Sequence, residues 1–176
     1  MRMFALKRRT FLTAAAVAVA GCGVRGAAPG YRVLSEVEVK ALEEWCEALI
    51  PADQDGGATD ARVVRFIDIQ LTRKYRMLLP KYREAVAAFA RYRGSKPGLR
   101  VEEVLASMEA GKCPHEFFTD GGKAAFEMVL GHAMQGFYGS PRHGGNREYV
   151  SWRMLGVPVS PVRGRQQYTI ADGGKV

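Results

Sequence analysis

The chain has 176 residues, 47% of them hydrophobic, so it is long enough for one domain with a hydrophobic core and too apolar for a disordered protein. Its net charge of +8 would suit nucleic-acid binding, but Arg2, Lys7, Arg8 and Arg9 all lie at the extreme N-terminus. Beyond residue 21, 22 basic residues stand against 18 acidic ones, a net charge of +4, with no basic stripe interleaved with aromatic residues. This pattern argues against a nucleic-acid partner.

Residues 1–22 have the layout of an export signal. A basic segment precedes an apolar run of about twelve residues, which is shorter than the ~20 residues of a membrane-spanning helix, and small residues follow. Arg8, Arg9, Phe11 and Leu12 match the twin-arginine (Tat) pattern, the signal of a pathway that carries folded cargo. An ordinary secretory signal with two adjacent arginines is the alternative.

The end of this signal, Val19-Ala20-Gly21-Cys22, resembles a bacterial lipobox. In that interpretation Cys22 becomes the lipidated first residue of the mature chain. Cleavage by the ordinary signal peptidase at a nearby small residue is an equally open alternative. Both interpretations predict a periplasmic or otherwise exported protein, and lipidation at Cys22 would also tether it to a membrane.

Helical periodicity begins after residues 23–32, whose glycines and proline predict a linker. Ser35 and Glu38 have the spacing of a capping box, and Pro51 should close the first helix. The apolar face of this helix is predicted to consist of Leu42, Trp45, Cys46 and Leu49.

A second helix is predicted after Asp60, which should cap it. Its apolar stripe is formed by Val63, Phe66, Ile67, Gln70 and Leu71. Pro80 should kink or split the segment that follows, and helical sequence then continues to Gly94.

A short helix is predicted over Val101–Glu109, and Thr119 or Asp120 should cap a last one. The inward residues of that last helix are predicted to be Phe126, Val129, Leu130, Ala133, Met134 and Phe137. No segment of strand length before residue 150 alternates with period two. We therefore predict an all-α fold, a compact bundle of five or six helices over residues 33–158. A cleavable signal precedes it, and it ends in an irregular C-terminal strap that contains glycine and proline, followed by a tail over residues 159–176.

Two cysteines, Cys46 and Cys113, lie outside the signal. An even pair in an exported chain favours an intrachain disulfide, which would stabilise the fold by about 4 kcal/mol. Two buried thiols, or a bond to a partner subunit, are the alternatives.

No catalytic or metal-binding pattern is evident. None of the three histidines, His115, His132 and His143, has a recognisable nucleophile or base as partner, and His132 is expected to be a packed residue of the last helix. Cys113, His115 and Glu116 lie close in sequence but lack a second cluster with metal-site spacing. We therefore expect neither an active site nor a directly bound cofactor or metal.

Three segments resemble the gluconate 2-dehydrogenase subunit 3 family. They are the stretch LIPADQDGGATDARVVRFID, the pair Phe117-Phe118, and the stretch FYGSPRHGGNREYVSWRMLGVP. The resemblance covers about residues 33–158. Its most specific part is the ordered set Pro141, Gly144, Gly145, Asn146, Trp152 and Gly156-Val157-Pro158.

The resemblance implies a small, non-catalytic subunit of a membrane-associated, FAD-dependent sugar or sugar-acid dehydrogenase. FAD would be bound by the large flavoprotein, and a cytochrome c subunit would take the electrons. The small subunit would carry the Tat signal and export its folded, FAD-loaded partner through the Tat translocase. A standalone exported lipoprotein that binds a small molecule in its helical bundle is the alternative, and an enzyme in its own right is a third.

Residues 140–158, here called the strap, are the candidate partner interface because interface cores favour aromatic residues and arginine. Gly144 and Gly145 match no phosphate-loop motif and should allow a sharp turn, in which Asn146 satisfies backbone groups. Trp152 is the expected anchor, with packing into the core as the alternative. The candidate interface residues are Pro141, Arg142, Gly144, Gly145, Asn146 and Trp152.

Overall fold

The computed structural model describes residues 26–159. The predicted signal residues Arg8, Arg9, Phe11 and Leu12, the lipidation candidate Cys22 and the tail beyond residue 159 lie outside them. The described residues form six α-helices and three short 3-10 helices, with no β-strand, which confirms the all-α prediction. The α-helices are α1 (Glu36–Leu49), α2 (Val63–Leu71), α3 (Leu79–Ser95), α4 (Val101–Glu109), α5 (Lys123–Tyr138) and α6 (Val150–Met154). Within this part of the chain no helix is both long and apolar enough to span a bilayer.

One hydrophobic core joins α1 to α5, and α1 packs against all four other helices of this set. Trp45 of α1 is completely buried and stacks on Phe89 of α3, with 4.8 Å between the ring centroids. The predicted face of α1 is confirmed at Leu42, Trp45 and Cys46, whereas Leu49 is only half-buried. The bundle is therefore organised around the first helix.

The predicted capping box is confirmed at α1, whereas at α5 the N-cap is Gly122 and the predicted Asp120 contributes only its carboxylate, from two residues earlier. At α1, the Glu38 carboxylate accepts hydrogen bonds from the Ser35 amide and hydroxyl, at 2.8 and 2.9 Å. At α5, the Asp120 carboxylate accepts from the amides of Gly122 and Ala124, both at 3.0 Å. The hydrogen bond from Ala124, together with that from Gly122, holds the pKa of Asp120 below its usual value.

The predicted cap at Asp60 is wrong, because its carboxylate accepts from the Gly57 amide and closes the preceding turn. Helix α2 begins three residues later, at Val63, after Arg62 in a left-handed conformation. Pro80 does split its segment as predicted: a 3-10 turn precedes it and it lies in the first turn of α3, where its missing N–H costs nothing.

A buried carboxylate that the sequence analysis did not single out fixes the entry into the bundle. Asp68 of α2 is almost fully buried and accepts hydrogen bonds from three consecutive backbone amides. These donors are Arg32, Val33 and Leu34, at 2.7, 3.0 and 3.1 Å. Because each bond has a charged acceptor, the set ties the segment before α1 firmly to α2.

The two cysteines are free and buried, not joined in the predicted disulfide. Cys46 lies inside the bundle on α1 and lines a cavity formed with residues 29–31 and 58–65. Cys113 lies in the loop between α4 and α5, where its amide donates to the Gly121 carbonyl. Burial raises the pKa of the Cys46 thiol to about 12 and that of Cys113 to about 11, so both are protonated at neutral pH.

Candidate functional site

The strap is more regular than predicted. It contains two 3-10 helices, Pro141–His143 and Arg147–Tyr149, followed directly by α6. Elements of three to five residues are too short to produce a periodic pattern, which is why the sequence predicted an irregular segment. The strap packs against α5 and closes back onto α2.

The two adjacent glycines of the strap are required for different reasons. Gly144 has φ of 100°, in the left-handed region that favours glycine, and a Cβ there would also lie 2.5 Å from the Ile69 side chain. Gly145 has ordinary φ, but a Cβ would come within 2.1 Å of the Gly136 carbonyl oxygen. The predicted sharp turn therefore belongs to Gly144, while Gly145 allows the strap to lie against α5.

Asn146 holds the strap in place from inside the fold. It is fully buried; its side-chain NH2 donates to the Gly139 carbonyl at 2.9 Å and its oxygen accepts from the Ser151 amide at 3.0 Å. The Ser151 hydroxyl in turn donates to the Phe137 carbonyl at 2.6 Å. The middle of the strap is thus bound to the carboxyl end of α5, and Asn146 satisfies backbone groups, as expected.

The strap also meets the loop between α1 and α2, the other long segment that carries the family resemblance. The Arg147 amide donates to the Ala61 carbonyl at 3.2 Å. This loop is itself fixed by Glu47, whose carboxylate accepts from the amides of Ala52 and Thr59 and from the Thr59 hydroxyl. Two segments separated by some eighty residues of sequence therefore form one continuous surface.

Three residues of the strap have strained backbone conformations. Asn146, Glu148 and Tyr149 have φ of 44°, 56° and 62°, in a region where side chains other than glycine are disfavoured. Such residues cost on the order of 1–3 kcal/mol each and persist where surrounding contacts determine the conformation. The buried hydrogen bonds of Asn146 supply those contacts, so the strap is held in one defined shape.

An aromatic patch, defined as Tyr138 of α5 together with Tyr149 and Trp152 of the strap, lies at the surface where the strap meets α5. The indole N–H of Trp152 donates to the Tyr138 carbonyl at 2.9 Å, and the Trp152 ring lies 5.6 Å from that of Tyr149. Trp152 is half-buried and does not belong to the hydrophobic core, so its alternative assignment as a core residue is not supported. One helical turn before Tyr138, Met134 is 41% exposed, although the sequence predicted that it points inward.

The six predicted interface residues divide into two groups. Arg142 is exposed, and Pro141, Gly144 and Trp152 are half-buried, so these four are within reach of a partner. Gly145 and Asn146 are buried and can act only by shaping the strap. The sequence missed Tyr138 because it lies on a helix whose apolar pattern pointed only to the core.

The described residues include a cavity that is lined by ionisable side chains. A cavity of about 300 Å³ lies beside α1 and α2, and in it the Tyr31 hydroxyl donates to the Glu43 carboxylate at 3.1 Å. Burial, and then the Glu43 charge, raise the pKa of Tyr31 to about 12, and Cys46 at the same cavity is a protonated thiol. Neither group is an activated nucleophile at neutral pH. In residues 26–159 no three metal-ligating side chains cluster.

His132 is packed among aromatic rings, as expected. Its Nδ1 lies 2.7 Å from the hydroxyl of the fully buried Tyr82, and its ring stacks on Tyr75 with 4.1 Å between centroids. Burial, and then the charge of Lys74, lower the pKa of His132. The neutral imidazole is therefore the form that the fold favours.

Comparison with known proteins agrees with this arrangement. No curated protein and no solved structure matches the chain. The family model described as "Gluconate 2-dehydrogenase subunit 3" matches residues 36–158, a range that runs from the start of α1 to the end of the strap. It includes the loop, the glycine pair and the aromatic patch, and its description names one subunit of a dehydrogenase that has several. The chain therefore belongs to the gluconate 2-dehydrogenase subunit 3 family.

Proposed function

We propose that this protein is the non-catalytic small subunit of an exported, FAD-dependent sugar or sugar-acid dehydrogenase complex. Family membership over residues 36–158 is the observation that carries the proposal. The twin-arginine pattern at Arg8, Arg9, Phe11 and Leu12 supports a role in exporting and maturing the folded flavoprotein. FAD belongs to the flavoprotein, a cytochrome c subunit is a further partner, and Cys22 is the candidate membrane tether.

The strap is the proposed docking surface for the flavoprotein. Large aromatic side chains in a fixed conformation contribute contact area at low entropic cost, and a few such residues dominate the energy of most interfaces. The aromatic patch has both properties, since Asn146 holds the backbone and Trp152 is outside the core. Trp152 is the residue of the patch with the largest apolar surface to contribute.

The test is expression of the flavoprotein with three forms of the small subunit: wild type, Trp152→Ala, and a double Arg8→Lys, Arg9→Lys variant. Trp152→Ala should weaken the complex by about 2 kcal/mol, roughly thirtyfold in affinity, with little change in the melting temperature of the subunit. The twin-lysine variant should leave both proteins in the cytoplasm. Co-purification from the exported fraction, with the flavin content of that fraction, measures both effects.

Met77→Ala is the matched control, because Met77 is an exposed apolar residue just before α3, outside the strap. It should behave as wild type in both measurements. Undiminished recovery of the flavoprotein with Trp152→Ala would exclude Trp152 as the anchor. Export of the small subunit without any bound flavoprotein would instead support the standalone lipoprotein, and unchanged export of the twin-lysine variant would refute the Tat assignment.

A further inference from the structure

A second exposed surface lies where the end of α3 meets α1, away from the strap in sequence. It is a shallow depression whose charged residues are Lys40, Glu44, Arg93, Lys96 and Arg100. Val37 also lines it and is 74% exposed, so an apolar side chain lies among these charges. We call this surface the basic face.

The charge of the basic face is only partly neutralised. Glu44 forms an ion pair with Arg93, and Arg100 pairs with Glu103 at 3.0 Å. Among the described residues neither Lys40 nor Lys96 takes part in an ion pair, and the Lys96 ammonium lies 5.8 Å from the centre of the Tyr92 ring. Two strongly hydrated cations beside an exposed apolar side chain favour an anionic, partly apolar partner surface.

The basic face lies next to the point where the N-terminal segment leaves the bundle. Val37 and Ala90 line both this depression and a neighbouring one, which Gly26 and Ala27 also line. Cys22 precedes Gly26 by four residues, so the two residues can be at most about 14 Å apart, the span of a fully extended chain of that length. A lipid on Cys22 would therefore hold the bilayer close to the basic face.

We propose that the basic face rests on an anionic phospholipid surface, with Lys40 and Lys96 against the headgroups and Val37 at the interface. The orientation follows from the proposed tether at Cys22, and the contact would fix which face of the bundle meets the bilayer. Each cation close to an anionic surface contributes an attraction of about 1 kcal/mol. An acidic protein partner is the competing occupant.

The first test measures partition of the mature protein onto vesicles of phosphatidylcholine with or without 40% phosphatidylglycerol. The variants are Lys40→Gln with Lys96→Gln, and, as a control of equal charge, Lys112→Gln with Lys123→Gln, which lie beyond the opposite end of α4. The first pair should lower the ratio of anionic to neutral binding about thirtyfold, and the second should change it little. Salt at 0.5 M should abolish the difference.

The second test reports which surface of the protein touches the bilayer. Its result does not depend on how tightly the lipid on Cys22 binds the membrane. An environment-sensitive fluorophore on Val37→Cys should shift to shorter wavelength on anionic vesicles. The same label on Met77→Cys should not, because Met77 is equally exposed, at 78%, but precedes α3, whose length of about 25 Å separates it from Lys96. The buried, protonated Cys46 and Cys113 will not take up the label under native conditions.

Equal fluorescence responses at both positions, or equal vesicle binding by both lysine pairs, would overturn the proposal. Loss of a co-purifying acidic protein in the Lys40→Gln, Lys96→Gln variant, with no response to vesicles, would assign the face to a protein instead. Neither result bears on docking of the flavoprotein, which is measured separately with Trp152→Ala.

Discussion

Single buried polar residues determine much of this structure, and Asp68 is the clearest case. Its carboxylate accepts three backbone hydrogen bonds from the segment that precedes α1. A hint was present in the sequence, since an acidic residue between Ile67 and Ile69 interrupts an apolar run. The partners could not be predicted, because they lie more than thirty residues away and bond through their backbones.

We expect Asp68→Ala to destabilise the protein by about 3 kcal/mol, because it leaves the buried Leu34 amide and two partly buried amides without their acceptor. Asp55→Ala, at an exposed loop position, should change stability by less than about 0.5 kcal/mol. Urea unfolding of both variants measures the difference. Equal midpoints for the two variants would show that the segment at Arg32 is not anchored as described.

His132 makes stability depend on pH in a defined direction. Its pKa is lower in the folded than in the unfolded chain, so the unfolded state takes up a proton first as pH falls. The stabilisation is complete above the unfolded value, near 6.5, and is lost as pH decreases through the folded pKa. The groups around the ring are the hydroxyl of Tyr82, the ring of Tyr75 and the ammonium of Lys74.

His132→Gln should therefore reduce the drop in melting temperature between pH 7.5 and pH 5. The exposed His115→Gln variant should show the same drop as wild type, because its side chain is in solvent. Thermal melts at the two pH values measure the effect. A drop that is identical in His132→Gln and wild type would place the pH dependence elsewhere in the molecule.

At the scale of elements, prediction succeeded where apolar residues recur with a helical period. Helices α1 and α5 were located from that period, and the nine-residue α4 has the predicted bounds Val101–Glu109, whereas α3 was located from Pro80 and the helical sequence that follows it. The strap has no such period, and its shape depends on Gly144, Gly145 and buried bonds of Asn146. The glycine pair indicated a turn. Only the structure shows that Gly144 forms the turn and that Gly145 allows close packing against α5.

Because the backbone of the strap is strained, a substitution by glycine there is expected to stabilise the protein. Glu148 is exposed at φ of 56°, so Glu148→Gly should remove strain and stabilise the protein by about 1 kcal/mol. Glu127 is equally exposed but lies inside α5, where glycine should cost about 1 kcal/mol. Denaturant unfolding of the two variants measures the two changes in the free energy of unfolding, which should have opposite signs. Destabilisation by both would mean that Glu148 has an ordinary helical or extended backbone in solution.

For the whole molecule, the two proposed surfaces are formed by different elements. The aromatic patch belongs to α5 and the strap, whereas the basic face belongs to α1, α3 and the start of α4. They share no residue, so binding a flavoprotein and resting on a membrane are compatible. The fold class and the family resemblance were predictable from sequence. The basic face was not, because its cations come from three segments that only the packing of the bundle brings together.

The Asp68 anchor also determines where a mechanical load enters the protein. A pull on the N-terminal segment, such as the proposed export or the proposed membrane tether would exert, passes through residues 28–34 before it reaches α1. There the chain is held by the hydrogen bond that the Ala28 amide donates to the Leu34 carbonyl and by the three bonds to the Asp68 carboxylate. The pull is therefore shared with α2 and the centre of the bundle, and α1, which carries much of the core, is protected from being unwound from its end.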